Sequence, residues 1–413
     1  MTLTVLVIFG LVYLGMILGG LPYFQLDRTG VALLGAIAMI GSEAVSVEEA
    51  ALSIHLPTIV LLFSFMVVSA QMRLGGFYDW ITERLADLPL APPMLLGALV
   101  FTTAFLSAIF SNDVVCLAVA PVLINACIRR RLDPVPYLLA LACASNIGSA
   151  ATLIGNPQNM LIGQTLRMSF NGYAAEALTP VVVGLLATWA IIVVQTRGDW
   201  AARQELSPED QRRGAQHRSL DRWQTAKGLA VASAILLAFL FTTWPHEVVA
   251  LAGAGVLLTS RRLHSSRMLG LVDWEVLVLF IGLFVVNHAL QKTGLPSRAV
   301  EDLASHGWAL DQPAPLFGTT FLLSNIVSNV PAVMLLLPVA KHAFSGPLLA
   351  LVSTLSGNLL IVGSIANILV VDAAARRGVR IDWRRHARMG VPVTLATLAV
   401  TAGYLWFRVN GMP

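Results

Sequence analysis

Long uncharged runs recur along the whole sequence, and they restrict the chain to one physical setting. Of its 413 residues, 56% are hydrophobic and only 12% are charged, about half of the roughly 25% that soluble domains carry. Since a helix of about 20 apolar residues spans a bilayer, we predict an all-α polytopic membrane protein. This composition excludes a disordered, collagen-like, disulfide-stapled or nucleic-acid-binding protein. No basic n-region precedes the first run, so we expect that run to stay in the membrane rather than be cleaved.

Ten of the runs have the length of a membrane helix or of a broken one. They cover residues 3–22, 29–43, 55–72, 135–165, 177–196, 227–244, 247–260, 273–291, 346–372 and 389–408. Two further apolar stretches, 93–128 and 314–341, are too long for one helix. Each is interrupted midway by a polar tripeptide, Ser-Asn-Asp at 111–113 and Ser-Asn-Val at 328–330. Each stretch is therefore either two crossings or a re-entrant hairpin.

The basic residues distinguish these two arrangements. If both stretches are re-entrant hairpins, the loops that hold all but five of the 27 Lys and Arg residues share one face. The five on the other face are Arg167, Lys292, Arg298, Lys341 and Arg408. Basic loops mark the cytoplasmic side of a membrane protein. We therefore predict two re-entrant hairpins in a multi-pass protein of a bacterial-type cytoplasmic (inner) membrane.

The two interrupted stretches also match each other at a constant offset of 217 residues. The nine identities pair Thr102, Thr103, Leu106, Ser107, Ile109, Ser111, Asn112, Pro121 and Val122 with Thr319, Thr320, Leu323, Ser324, Ile326, Ser328, Asn329, Pro338 and Val339. Downstream, Gly155-x-x-x-Asn159 matches Gly363-x-x-x-Asn367 after a small gap. We infer a duplication, with repeats at 1–196 and 227–413 joined by a cytoplasmic linker at 197–226.

Each repeat is predicted to contain five transmembrane helices, one of them broken, and one re-entrant helical hairpin. The hairpins are 93–128 and 314–341, and the broken helices are 135–165 and 346–372. Five crossings is an odd number, so the second repeat enters the membrane with inverted topology. Inverted repeats with broken helices in corresponding places are typical of secondary transporters, which bind substrate and ions near the midplane at the breaks.

The polar residues of the four breaks are the candidate binding residues for a substrate or a coupling ion. Non-helical backbone is tolerated at membrane depth only where it is buried in protein or lines a wet cavity. Gly and Pro open these helices, and Ser, Thr and Asn supply oxygens and amides. The candidates are Ser111, Asn112, Asp113, Asn146, Thr152, Asn156, Asn159, Ser328, Asn329, Asn358, Ser364 and Asn367.

Asp113 is the one acidic residue, of 23, that falls at mid-membrane depth. Carboxylates there are costly and usually functional, so we predict that Asp113 is the proton carrier. Its repeat partner is Val330, and the two halves are therefore chemically unequal. Cys116 and Cys143 each lie three residues from a candidate, Asp113 and Asn146 respectively. They are candidate thiols for a soft metalloid, although a buried cysteine is more often a small apolar filler.

At these same residues the sequence resembles the ion-transporter superfamily, which includes arsenite efflux permeases, divalent-anion/sodium symporters and sodium/proton antiporters. The resemblance covers nearly the whole chain and is strongest in SNDVVCLAVAPVL (111–123), ATLIGNPQNMLIG (151–163), SNVPAVMLLLPV (328–339) and IVGSIANILV (361–370). Dicarboxylate symporters of this superfamily carry Ser-Asn-Thr at both tips, and here the threonine is missing from both. Arsenite permeases of the ArsB type are similar in having Asn-Asp at the first tip and Asn-x-Pro at the second, as this chain does.

The residues and the resemblance together predict proton-coupled efflux of arsenite or antimonite, or of a similar small oxyanion or neutral oxyacid, by alternating access. Arsenous acid is neutral near pH 7 and suits amides, hydroxyls and one carboxylate. A dicarboxylate needs concentrated positive charge, and the sequence places no Lys or Arg beside Asp113 or at the breaks. Two alternatives stay open: sodium-coupled transport of a di- or tricarboxylate or other anion, and sodium/proton antiport.

Channels and membrane-embedded enzymes are less consistent with the sequence. Channels seldom need inverted repeats with two unequal tips, and no His-Glu-x-x-His, nucleophile elbow or nucleotide-binding loop is present in the sequence. We expect no cofactor and no bound metal beyond the coupling ion, which is H⁺ with Na⁺ as the alternative. The expected partners are a small-molecule or ion substrate and the lipid bilayer, with no nucleic acid. The resemblance leaves open a homodimer and a soluble ATPase subunit.

Overall fold

A computed structural model of the chain describes residues 1–21, 25–201, 220–260 and 262–411. Within these ranges the protein is built from 20 α-helices and two 3₁₀ turns. A short antiparallel pair, β1 (Gly20–Leu21) and β2 (Leu26–Asp27), joins the first two helices. The membrane-protein class predicted from composition is therefore matched by a nearly all-helical architecture.

Helices α1–α10 lie in the first half of the chain. Their bounds are α1 Thr2–Leu18, α2 Arg28–Gly41, α3 Val47–Ser53, α4 Leu56–Leu74, α5 Phe77–Ala86, α6 Pro92–Ile109, α7 Asn112–Arg129, α8 Pro134–Ser149, α9 Pro157–Thr165 and α10 Phe170–Thr196. Asp27, Asp133 and Asn156 begin α2, α8 and α9 as N-caps whose side chains accept backbone N–H bonds, which is the usual role of Asp and Asn there.

Helices α11–α20 lie in the second half. Their bounds are α11 Arg222–Phe241, α12 His246–Leu258, α13 Ser265–Leu269, α14 Trp274–Lys292, α15 Leu295–Ser305, α16 Pro313–Val327, α17 Asn329–Leu336, α18 Ser345–Ser356, α19 Ile365–Ala375 and α20 Trp383–Asn410. The 3₁₀ turns are Leu337–Val339, which continues α17, and Ile361–Gly363, which precedes α19.

The apolar runs of the sequence coincide with these helices. Among the described residues, seven helices are long and apolar enough to cross a membrane, and further shorter apolar helices accompany them. The sequence did not predict α3, α13 and α15, which are too short or too polar to show a membrane-length period. The predicted linker 197–226 lies mostly outside the described residues, and α11 already begins at Arg222.

Both interrupted stretches fold back on themselves. In the first, the Arg130 guanidinium after α7 donates to the carbonyls of Ala86, Leu88 and Leu90 before α6, at 2.9, 3.0 and 2.8 Å. In the second, residues that precede α16 and residues that follow α17 line the same cavity. Each pair of arms therefore forms a helical hairpin whose two ends lie side by side. Its re-entrant position in a bilayer stays a prediction.

The two halves of the chain interlock. Helix α4 packs against α12, and α14 packs against α2. Deeper in the protein, α7 packs against α19, and α17 packs against α9. The second arm of each hairpin therefore lies on the second segment of the broken helix from the other half. The first broken helix also touches its own hairpin, because Gly148 of α8 lies so close to the Ala104 backbone that a side chain there would overlap it. Small residues permit this kind of close helix contact in membranes.

We predict that Arg130→Met destabilises the first hairpin. The change removes three charge-assisted bonds to carbonyls and should lower the free energy of unfolding by roughly 2 kcal/mol. The apparent melting temperature in detergent, followed by tryptophan fluorescence, measures this. Arg129→Met is the matched control, since Arg129 is exposed. Equal melting temperatures for the two variants would contradict the prediction.

Candidate functional site

The first break, residues 150–156 between α8 and α9, packs against the first hairpin tip. The Asn112 backbone N–H donates to the Gly155 carbonyl at 3.2 Å, and the Thr152 hydroxyl donates to the Ala108 carbonyl at 2.5 Å. A Cβ at Gly155 would lie 2.8 Å from the Ser107 carbonyl oxygen. Glycine is therefore required where the break and the tip meet.

The second break, residues 357–364 between α18 and α19, lies against the second tip in the same way. A Cβ at Gly357 would lie 3.1 Å from the Asn329 amide nitrogen and 3.3 Å from the Gly363 carbonyl oxygen. Ser328, at this tip, has φ +78° and ψ 160°, a backbone conformation that is costly for any residue except glycine. Its counterpart Ser111 has an ordinary φ of −54°.

Asn146 lies on α8, just before the first break, and bonds both to the first hairpin tip and to the second broken helix. Its Oδ1 accepts from Asn112 Nδ2 at 3.1 Å and from Ser364 Oγ at 2.9 Å. Its Nδ2 donates to Asn358 Oδ1 at 2.8 Å and to Asn367 Oδ1 at 3.3 Å. Asn146 is only 2% exposed. This single amide therefore links the first tip to the second broken helix through buried bonds.

Thr354 makes the corresponding contacts in the opposite direction. Its hydroxyl accepts from Asn156 Nδ2 at 3.3 Å and from Gln158 Nε2 at 3.1 Å, and it donates to Asn159 Oδ1 at 3.4 Å. Thr354 follows Asn146 by 208 residues, the same offset that separates Asn156 from Ser364 and Asn159 from Asn367. The two broken helices therefore exchange equivalent contacts.

Asn159 and Asn367 also replace helix hydrogen bonds that the breaks remove. Asn159 Nδ2 donates to the Thr152 carbonyl at 3.0 Å. Asn367 Nδ2 donates to the Leu360 carbonyl at 3.0 Å and to the Gly357 carbonyl at 2.8 Å. Since buried carbonyls need a donor, these asparagines stabilise the non-helical backbone as well as the contact between halves.

Several buried polar atoms near the breaks have no hydrogen-bond partner among the described residues. They include the hydroxyls of Ser107 and Ser324 and the side-chain oxygens of Asn112 and Asn329, which form two repeat-related pairs. The Asn358 amide nitrogen is likewise unpaired. Buried polar groups are normally satisfied, so this cluster has spare acceptors and a spare donor for a small hydroxylated or ionic molecule.

Asp113 lies at the edge of this network and opens onto a cavity of about 520 Å³. The cavity extends from Val362 and Ile365 at the second break to the starts of α2 and α14. Its charged lining residues are Asp27, Arg28, Arg73, Asp113, Asp273 and Glu275. The sequence places no basic residue beside Asp113, and tertiary folding brings Arg28 and Arg73 to the wall of the same cavity.

The two candidate thiols are buried behind the network. Cys116 Sγ donates to Ser145 Oγ at 3.0 Å, and Cys143 is 1% exposed. Neither lines the cavity that Asp113 enters. Within the described ranges, no group of three or more His, Cys, Asp or Glu side chains is placed to hold a metal ion. A role for either thiol stays a prediction.

The structure brings eight of the predicted residues into one hydrogen-bonded region: Asn112, Asn146, Thr152, Asn156, Asn159, Asn358, Ser364 and Asn367. Asn329, Ser111 and Ser328 lie at the adjoining tips, and Asp113 lies at the cavity wall. Sequence reasoning missed Thr354 and Gln158. The 208-residue offset from Asn146 could have indicated Thr354. The Gly-Asn-Pro-Gln-Asn element could have indicated Gln158. Binding by these residues stays a prediction.

Two broken helices, two hairpins and a buried polar cluster, with Asp113 between that cluster and a cavity, are typical of a multi-pass membrane transporter. The family comparison agrees: the chain matches the model of the citrate transporter family over residues 4–347, and it belongs to that family. The predicted ion-transporter relationship and the cytoplasmic-membrane location are thereby confirmed. Such relatives indicate a transport role rather than catalysis.

Individual proteins align with nearly the whole chain. The chain is 30% identical over 399 residues to the 46 kDa membrane protein of Mycobacterium leprae, covering 92% of each. It is 28% identical over 470 residues to the silicon efflux transporter LSI3 of Oryza sativa subsp. japonica, covering 95% of each. The crystal structure of the Alcanivorax borkumensis YdaH transporter superposes with a TM-score of 0.58 at 12% identity, over 100% of this chain and 99% of that one. That likeness shows a shared fold.

We predict that Asn146→Leu strongly destabilises the protein. A side chain of similar size without polar atoms leaves the amide of Asn112 and the oxygen of Asn358 buried without their partner, at a cost of about 2–4 kcal/mol. Asn171→Leu is the control, because Asn171 is exposed and makes one bond to the Leu240 carbonyl. Thermal unfolding in detergent should separate the two, and equal stability would count against a structural role for Asn146.

We also predict opposite effects for glycine at the two tips. Ser328→Gly relieves the left-handed backbone strain and should raise stability by about 1 kcal/mol. Ser111→Gly should lower it, because φ is ordinary there and glycine only adds freedom to the unfolded chain. Melting temperatures of the two variants beside the parent protein test this, and shifts of the same sign would contradict it.

Proposed function

We propose that this protein exports small neutral oxyacids from the cytoplasm in exchange for protons. The substrates are arsenous and antimonous acid, with silicic acid as a chemical analogue, and the transport follows alternating access between two inverted repeats. Asp113 carries the proton. The amides and hydroxyls around Asn146 bind the substrate, and the cavity of about 520 Å³ is its entry from the cytoplasm.

The observation that carries this proposal is the uncharged character of the polar network. Its members are asparagine, glutamine, serine and threonine side chains that bond one another. A neutral acid with several hydroxyls can both donate to and accept from such groups, so it can replace bonds within the network without bringing a charge into an apolar region. The unpaired oxygens of Asn112 and Asn329 supply acceptors for its hydroxyls.

The charges of the cavity support the same class of substrate. Among the described lining residues, Asp27, Asp113, Asp273 and Glu275 are acidic and only Arg28 and Arg73 are basic. Carboxyl groups outnumber guanidinium groups four to two in this lining, which disfavours a ligand that carries several negative charges. A neutral acid or a cation enters such a cavity more readily than a tricarboxylate anion.

The position of Asp113 supports coupling to protons. The side chain begins α7 at the first tip and faces the cavity, so its proton can exchange with water from that side. Val330 stands at the equivalent place in the second tip, which gives the transporter one carrier rather than two. The silicon efflux activity that names the rice relative agrees with export of a neutral oxyacid.

Transport in proteoliposomes tests the proposal. We expect arsenous acid flux under an imposed pH gradient, with no requirement for sodium, and at least about tenfold lower flux for Asp113→Asn because a neutral amide carries no proton. Glu275→Gln is the matched control, because it also removes a carboxyl from the cavity wall and leaves a side chain of nearly the same size. Absence of arsenous and silicic acid flux, or equal flux in the two variants, would contradict the proposal.

A second candidate is sodium-coupled transport of a di- or tricarboxylate. It is favoured by Arg28 and Arg73 in the cavity wall, by the buried Nε of Arg28, which has no partner among the described residues, and by the name of the family. In the same proteoliposomes, citrate uptake that requires sodium and is lost in Arg28→Gln would support this candidate. Sodium uptake driven by a proton gradient without any organic substrate would instead indicate sodium/proton antiport.

A further inference from the structure

One buried titratable side chain contacts the second break without being part of the proposed mechanism. His386 lies in the first turn of α20 and is 2% exposed. Its Nε2 is 3.1 Å from the Asn358 carbonyl oxygen. One turn later, Gly390 is packed so closely against the same carbonyl that a Cβ would overlap it. Helix α20 therefore meets the second break at one peptide group.

The hydrogen bond defines the state of the imidazole. A carbonyl oxygen can only accept, so Nε2 carries the hydrogen and donates it. In the neutral ring Nδ1 is then an acceptor, and it is buried without a partner among the described residues. A proton on Nδ1 would create a charged donor in a place where no acceptor receives it, which is costly.

The first half of the protein contains the same contact with a different residue. Tyr173 is the fourth residue of α10, as His386 is of α20. Its hydroxyl donates to the Ala150 carbonyl at 2.6 Å. Ala150 and Asn358 are separated by 208 residues, the offset that relates the two breaks. The last helix of each half therefore donates to the corresponding carbonyl of its broken helix, through a phenol in one half and an imidazole in the other.

The residue that His386 positions lies at the centre of the site. Asn358 accepts the 2.8 Å bond from Asn146 Nδ2 through its side chain, while His386 bonds its main chain. Movement of this peptide would therefore shift the contact between the two broken helices. An equivalent movement of the Ala150 peptide would not shift a side-chain contact between the two broken helices, since the alanine side chain has no polar group.

We propose that His386 is a proton-sensitive positioning residue that holds the second break closed when its imidazole is neutral and releases it when protonated. The neutral ring donates one bond and fits its buried place, whereas the protonated ring requires water or an acceptor. Protonation therefore favours conformations in which α20 and the break separate. Histidine is the one side chain whose charge ordinarily changes near neutral pH, and Tyr173 offers no such response.

The other titratable groups near this place are few. Asp113 shares a cavity with Val362 and Ile365 of the second break, and the His386→Gln variant below separates its effect from that of the imidazole. Asp382, the N-cap of α20, is exposed. Helix α20 packs against α8, α10 and α18. The titratable residues on α8 are Tyr137 and Cys143, those on α10 are Tyr173 and Glu176, and α18 has none. Glu176 bonds Tyr404 and Arg408 at the far end of α20. The arginines nearest on its own helix, Arg384, Arg385 and Arg388, are exposed.

Hydrogen–deuterium exchange of the purified full-length protein in detergent tests this inference. After correction for the intrinsic pH dependence of exchange, segment 355–366 should open more readily between pH 8 and pH 6. The rise is at most about tenfold per pH unit, the limit for one linked proton. Segment 147–158, held by Tyr173, is the internal control and should show no such rise. Equal pH dependence of the two segments would overturn the inference without any variant.

Two variants separate protonation from simple packing. His386→Gln retains an N–H donor that does not titrate, so segment 355–366 should stay protected and lose its pH dependence. His386→Leu removes the donor, so the segment should open at every pH. A pH dependence in His386→Gln equal to that of the parent protein would overturn the inference. This inference deepens the proposed proton-coupled transport and rests on that proposed function. The exchange experiment contains no substrate, however. A failure of arsenous acid transport is therefore a separate result.

Discussion

The structure depends on one constraint, the need to satisfy backbone polar groups wherever a helix is broken in apolar surroundings. Water does not supply those bonds in a bilayer, so side chains must. In the first break Asn159 and Tyr173 donate to the carbonyls of Thr152 and Ala150. In the second, Asn367 and His386 donate to those of Leu360 and Asn358. The asparagines that make the breaks possible also link the two halves, so stability and the candidate site share the same residues.

Equivalent positions in the two halves have equivalent geometry and different chemistry. Asn146 and Thr354 each reach across to the other broken helix, yet one is an amide and the other a hydroxyl. Asp113 faces the cavity where the other half has Val330, and Tyr173 corresponds to His386. At these positions the amide, the carboxyl and the imidazole each occur in one half only, where the other half has a hydroxyl, an apolar side chain and a phenol. A pair of similar scaffolds with a carboxyl at one tip only suits the proposed coupling of one gradient to one substrate.

The electrostatic character of the cavity comes from residues that are far apart in the chain. Asp27 caps α2 and Arg28 begins it, Arg73 lies in the last turn of α4, Asp273 caps α14 and Glu275 lies in its first turn. Because α2 packs against α14 and α4 packs close by, these helix ends line the same cavity as Asp113. Excess carboxylate in this place argues for a neutral or cationic substrate more strongly than the tip residues do alone. The two arginines favour the alternative, a carboxylate substrate.

Much of the architecture was determined by the sequence itself. Apolar runs located the membrane helices, polar tripeptides located the hairpin tips, and the matching motifs of the two halves indicated the breaks, because hydrophobic length and helix-breaking residues act locally. The partners of Asn146, the bond from His386 and the arginines in the wall of the cavity were decided only by tertiary structure. They join residues up to 221 positions apart, and a linear pattern contains no information about which helix ends converge. The reason is physical: burial and close packing between the two halves, rather than local propensity, select those contacts.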